Sequence, residues 1–229
     1  MNKPYILDET EDFAVVFKPA KMHSVPGGIN LFEWYASCSA SVYDIMHRLD
    51  YETHGLVLFA KNEKSYLFFK KAQEKDEFIK EYSAVCAQEI ENKKEGFPSP
   101  RLSGNKFDSP FIIESYFRPF GPGRKLVRPV TDNGKKHKEI AKDRGGFYRT
   151  EIINKNGNAF TIRIKRGFRH QIRCHLCWIG FPILNDPLYS CGEDALSPDS
   201  EMALRSHALF FPDPSSGEKR EYRIEGLAG

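Results

Sequence analysis

No stretch of this 229-residue chain approaches the roughly 18 consecutive apolar residues that a membrane helix needs. Its first twelve residues turn acidic by Asp8 and lack the apolar core of a secretory leader. Cysteine is scarce, odd in number (five) and irregularly spaced. That excludes a disulfide framework and points to a reduced, cytoplasmic chain. Net charge is only +3, from 34 Lys and Arg against 31 Asp and Glu, so the distribution of charge matters more than its total. No glycine-rich phosphate cradle is present, because Gly121-Pro122-Gly123 lacks the helix start such a motif requires. Cys174 and Cys177 lie near His170 and His175, but no second ligand pair stands at zinc-site spacing, and no metal is expected. His47 and Asp50 have no Ser or Cys nucleophile beside them, which argues against a hydrolase. What the chain does have is bulk: 40% hydrophobic residues, with 18 Phe and 10 Tyr, enough for a substantial core.

The stretch from His47 to Lys61 organises the rest. Leu56 to Ala60 is an unbroken apolar run between Gly55 and Lys61, the pattern of a strand buried on both faces. Asp50 precedes it by a Thr53-His54-Gly55 bend, on a loop held by a rigid element. Locally, Asp50 reads equally as a capping residue of the bend or as a functional carboxylate.

Upstream, Tyr5-Ile6-Leu7 and Phe13 to Phe17 read as a hairpin stopped by Lys18-Pro19. The spacing of Leu31, Trp34 and Tyr35 predicts a short helix over 31–38, and Asn62 to Glu77 predicts an amphipathic one. Ile79 to Ala87 alternates as a strand, on which Tyr82 is by default a half-buried tyrosine. Residues 91–142 read as a loop-rich, increasingly basic insert. Arg118, Arg124, Lys125, Arg128, Lys135, Lys136, His137 and Lys138 fall within 21 residues, beside Phe117 and Phe120. Such a run is either a solvated face or a contact in which cations meet phosphates and rings stack on bases. Two alternating stretches around Asn156-Gly157 predict a second hairpin. His170, Arg173 and Leu176/Cys177 share one face if that segment is helical.

Several of these stretches together resemble the RluA-type RNA pseudouridine synthases. The first is His47-Arg48-Leu49-Asp50 followed by Thr53, Gly55 and an apolar run ending Phe59-Ala60-Lys61. Others are the opening Ile6-Leu7 to Lys18-Pro19-Ala20 pattern, Lys80-Glu81-Tyr82 and Gly123-Arg124-Lys125. The second strong match is His170-Gln171-Ile172-Arg173-Cys174-His175-Leu176 with Gly180, Pro182-Ile183, Asp186 and Tyr189. His54 and Phe168 depart from the family, which usually has Ser and Arg there.

The resemblance implies an α+β fold: a mixed, mostly antiparallel sheet flanked by helices and loops, with a central cleft. It implies one catalytic domain over residues 1–229, without a small N-terminal RNA-binding domain. The implied activity is isomerisation of a uridine in rRNA or tRNA after base flipping, by a monomer that needs no cofactor. Asp50, Tyr82 and Arg173 would be the catalytic residues: nucleophile, base-facing ring and partner of the aspartate. Arg48, Thr53, His54, Arg124, Lys125, Arg128, Arg169, His170 and Gln171 would contact RNA or support the site. A catalytically inactive RNA-binding relative is the alternative.

Overall fold

The computed structural model describes residues 3–89, 96–105, 108–131, 147–190 and 200–227. The chain divides into two compact units, Met1–Tyr82 with Leu204–Gly226, and Ser83–Ala203 with Leu227–Gly229. The elements are a mixed, mainly antiparallel set of strands with few helices, the α+β class that the motifs imply.

In the first unit, β1 (Tyr5–Glu9) and β2 (Phe13–Lys18) form the expected hairpin. Thr10 closes its turn by hydrogen bonds to Asp12 and Phe13. Along its length β2 pairs antiparallel with β4 (His54–Ala60), every residue of which is buried, as its apolar run requires. The other edge of β4 is shared. The short β3 (Asp44–Ile45) pairs with Ala60 and Phe59, whereas β11 (Leu204–Pro212) runs parallel to it at His54 and Gly55. Strand β12 (Lys219–Arg223) extends β11. Helix α1 (Leu31–Cys38) starts at Asn30, whose side chain accepts from the Glu33 amide. Helix α2 (Glu63–Glu74) starts at a reciprocal Asn62/Ser65 cap. The core joins Phe69 of α2 to Phe13, Leu56, Leu58, Phe78 and Phe211, with edge-on ring contacts between Phe69 and both Phe13 and Phe211.

Strand β5 (Ile79–Val85) leaves the first unit and enters the second. There β10 (Ala159–Ile164), β9 (Tyr148–Asn156), β7 (Phe111–Phe120) and β6 (Leu102–Ser103) pair in that order, all antiparallel. Gly157, at φ +56°, turns the β9–β10 hairpin as its Asn-Gly sequence predicts. The segment expected to be loop-rich instead carries a ten-residue strand. Residues 111–115 of β7 pair with β9, and residues 116–120 pair with β8 (Leu126–Val130) as a two-stranded ribbon. Its inward residues are Phe111, Ile113, Ser115 and Phe117, and the serine hides the apolar alternation. Helix α3 (Gln171–Trp178) is buried along its whole length. It begins one residue after His170, which is its left-handed cap (φ 56°) rather than a member of the helical face.

Candidate active site

Asp50 lies half-buried in the irregular stretch between β3 and β4, where the edge of β4 passes from β3 to β11. Backbone without a ladder needs other partners, and here side chains supply them. Gln73 Nε2 donates to the Met46 carbonyl (2.8 Å), and the Leu58 amide donates to His47 Nε2 (3.3 Å). Ser24 Oγ donates to the Leu49 carbonyl (2.9 Å) and accepts from the Leu49 amide (3.0 Å). Lys18, fully buried at the end of β2, donates to the carbonyls of Pro19 (2.9 Å), Met22 (2.7 Å) and Tyr51 (3.3 Å). An ammonium has three N–H donors, so these acceptors offset the cost of withdrawing it from water. The Thr53 amide closes the turn on the Asp50 carbonyl (3.1 Å). The aspartate backbone is therefore fixed on both sides.

Tyr82 stands on β5 at 5% exposure. Burial pushes its phenol up, the charge of Asp50 adds to this, and a bond with Ser206 offsets part of it. The phenol thus stays protonated at neutral pH, within the field of Asp50. Lys80, two residues earlier on the same face of β5, is lowered to about 8 by burial, with Asp76 acting against the shift.

Thr53 and His54 are both buried. Burial, then Arg205 and Lys18, lower His54 to about 4, and neither ring nitrogen has a hydrogen-bond partner among the described residues. His54 is therefore a neutral ring in the space where the family usually has a serine. Arg48 is exposed.

In the second unit, α3 presents Arg173 at 2% exposure. Its Nε and Nη2 grip both oxygens of Asp186 (2.8 and 2.7 Å), and its guanidinium lies 5.5 Å from the Tyr189 ring centre. Asp186 Oδ1 also accepts from the Leu188 and Tyr189 amides, so this buried charge is well compensated. Gln171 joins the start of α3 to β9, donating to the Arg149 carbonyl and Thr150 Oγ1 while accepting from the Phe168 amide. His170 Nδ1 lies 3.4 Å from the Tyr189 hydroxyl. Arg169 is exposed and donates to the carbonyls of Arg124 and Leu126, tying the ribbon turn to the approach of α3. Phe168 stacks on Phe117 (5.1 Å, 7°), so an aromatic contact replaces the usual arginine.

Arg124 and Lys125 are exposed at the ribbon turn, and Arg128 is half-buried on β8. Lys135, Lys136, His137 and Lys138 fall outside the described residues. Among the described residues no three His, Cys, Asp or Glu side chains converge as metal ligands would, and no helix is long and apolar enough to cross a membrane.

Sequence reasoning missed Lys18, Ser24 and Gln73 as holders of the Asp50 loop, and Asp186 as the partner of Arg173. A buried lysine ending an apolar strand was the one local signal for the first, since an ammonium at such a position must find acceptors.

A mixed, mainly antiparallel sheet with few helices defines the class of fold. The solved human RNA pseudouridylate synthase domain containing 1 shares it, with a TM-score of 0.71 over 97% of this chain and 83% of that one, at 18% identity. The sequence pattern of the RNA pseudouridylate synthases matches residues 12–178, and the chain belongs to that family. An uncharacterized RNA pseudouridine synthase of Mycoplasma pneumoniae is 30% identical over 96% of this chain. A ribosomal large subunit pseudouridine synthase D of Haemophilus ducreyi is 27% identical over 80% of it. The chain spans 66% of the first relative's length and 52% of the second's.

Proposed function

We propose that this chain is an RNA pseudouridine synthase acting on a uridine of rRNA or tRNA, with Asp50 as its nucleophile. The observation that carries the reading is the Asp50 loop, which side chains from β2, α2 and the 19–24 segment hold beside a protonated Tyr82. A carboxylate on pre-set backbone can attack without first being ordered, which is what nucleophilic catalysis requires.

The reaction is an isomerisation. Asp50 attacks the anomeric carbon or the uracil ring, the C1′–N1 bond breaks, and the base turns. A C1′–C5 bond then forms and the bond to Asp50 breaks, freeing the carboxylate, as the C5 proton leaves and N1 gains one, so no oxidant or reductant enters. Tyr82, kept as a phenol, serves as ring surface and hydrogen-bond donor rather than as base. Arg173 keeps the catalytic role that its motif implies, and Asp186 fixes the plane of its guanidinium. Reaching Asp50 requires the uridine to leave its stack, at a cost of a few kcal/mol. Arg48, Arg124, Lys125 and Arg128 are assigned to phosphates that offset this cost, and Thr53, Arg169, His170 and Gln171 to supporting the site. The ribosomal relative supports a structured RNA substrate.

Pseudouridine mapping of total RNA from cells with and without the gene tests the reading. Loss of one or a few sites is expected. Unchanged maps in rRNA and tRNA would contradict it.

A further inference from the structure

The second unit holds a cavity of about 400 Å3 that none of the catalytic residues above lines. It lies between residues 96–98 and residues 128–131, and its volume falls within the roughly 300–1,000 Å3 of small-ligand sites. Its wall is fixed. Arg128 Nη1 donates to the Gly96 carbonyl (2.8 Å), and the guanidinium sits 5.7 Å from the centre of the Phe120 ring. Phe120 meets Phe97 edge-on at 6.1 Å. Gly96 has φ +80°, and a Cβ there would come within 3.3 Å of Arg128 Nη1 and 3.4 Å of the Phe120 ring, so glycine suits this close approach. Trp178 Nε1 donates to the Pro98 carbonyl (2.7 Å), anchoring the same segment to α3.

Within that wall the cation is incompletely satisfied. Nε of Arg128 is buried without a hydrogen-bond partner among the described residues, and the Gly96 carbonyl is the acceptor that its guanidinium does have. Its register partner across the ribbon is Arg118. Like charges directly opposite each other destabilise a strand pair. Burial and that neighbouring charge both lower the Arg128 guanidinium from its usual value. An anion relieves such an arrangement, and the adjoining Phe97 and Pro129 suit a flat ring. An anionic group joined to a flat ring describes a nucleotide.

We propose that this cavity is a second RNA subsite, which takes one unpaired nucleotide of the substrate strand with its phosphate on Arg128 and its base against Phe97. The proposal rests on the RNA reading above, but its binding chemistry does not involve Asp50.

The test measures binding of a fluorescent oligouridylate by the full chain across a range of salt concentrations. Arg128→Ala should weaken binding about tenfold and flatten the salt slope by about 0.7, one single-strand phosphate. Phe97→Ala should weaken it about tenfold at unchanged slope, the loss of one stacked base. Phe97→Trp should retain affinity and be quenched by the oligomer, which guards against misfolding of the alanine variant. Uridine monophosphate and inorganic phosphate should compete far more weakly than the oligomer. Wild-type affinity in both alanine variants would overturn the subsite, as would monophosphate or phosphate alone binding as tightly as the oligomer. If wild-type protein isomerises RNA but the alanine variants bind normally, the subsite fails alone. If the variants lose binding while no uridine is ever isomerised, the subsite stands and the catalytic reading fails.

Discussion

Lys18 and Arg128 are both cations drawn away from bulk water, and the protein uses them in opposite ways. Lys18 is fully buried and donates to three backbone carbonyls, one of them next to Asp50. Arg128 is half-buried, donates to one carbonyl, and faces a second arginine across a two-stranded ribbon. In the first region polar groups are consumed in fixing backbone, so the loop is shaped before any ligand arrives. In the second, one guanidinium nitrogen is left without a hydrogen-bond partner among the described residues, and the proposed subsite uses it for an anion. Chemistry needs the first arrangement, and recognition of a phosphate chain needs the second.

The fixed region should break most sharply at Gly55. Its φ is +125°, and a Cβ there would lie 2.2 Å from the Ser206 carbonyl oxygen on β11. Gly55→Ala should cost about 3 kcal/mol or more, through overlap and backbone strain together. Thermal unfolding measures it, and a shift within error would show that β4 and β11 part easily.

Ser24→Ala is a finer cut. It leaves the buried Leu49 amide and carbonyl without their side-chain partner, at about 1–3 kcal/mol. Turnover should fall at least tenfold while RNA affinity stays within about twofold, as rapid-quench and binding assays would show. Equal losses in both would mean that the clamp orders an RNA-binding surface instead.

Acid should weaken the fold by way of its neutral histidines. Burial holds His175 at about 3, His54 at about 4 and His47 well below its usual 6.5. The unfolded chain therefore binds protons that the folded one refuses, and stability falls as pH drops below about 6.5. Each histidine contributes a slope of up to about 1.4 kcal/mol per pH unit. Hydrogen bonds from Ser39 and Lys61 hold Glu9 at about 2 against its usual 4.5, so its contribution also disappears as pH falls towards 2. Denaturant titrations between pH 7 and pH 4 test the sign, and stability flat across that range would refute it.

The smallest effect on the fold belongs to the ribbon turn. Arg124 and Lys125 are exposed, so replacing both by Ala should leave unfolding within about 0.5 kcal/mol. It should flatten the salt dependence of RNA binding by about 1.4 to 1.8 if each meets a phosphate. An unchanged slope would make that turn a solvated face.

How far the sequence foretold this depends on the range of the contacts. Strand β4 was legible from its apolar run, α1 from Leu31/Trp34/Tyr35 and the β9–β10 hairpin from Asn156-Gly157, because each is a local pattern. Strand β7 was not, since Ser115 takes a core-facing place by bonding to His175 (2.9 Å), and its alternation is broken. Asp50 read locally as a turn former and stood out through its resemblance to a family motif. Its holders were invisible because they come from afar: Ser24 lies 25 residues from Leu49, and Lys18 lies 33 from Tyr51. Arg173 was legible as important, but its grip on Asp186, 13 residues on, was not. Periodicity has nothing to say about a hydrogen bond between a side chain and a distant carbonyl.

The central claim is that Asp50 performs chemistry on an RNA that other residues hold. Asp50→Asn preserves the shape of the side chain and removes its charge, and the Thr53 bond to the Asp50 carbonyl is untouched. Purified wild-type and variant protein should be compared on the same RNA for pseudouridine formed and for equilibrium affinity. The account predicts product at background in the variant, with affinity within about threefold of wild type and an unchanged salt slope. Turnover within tenfold of wild type would contradict it, because a side chain that reacts covalently cannot lose its nucleophile and keep its rate.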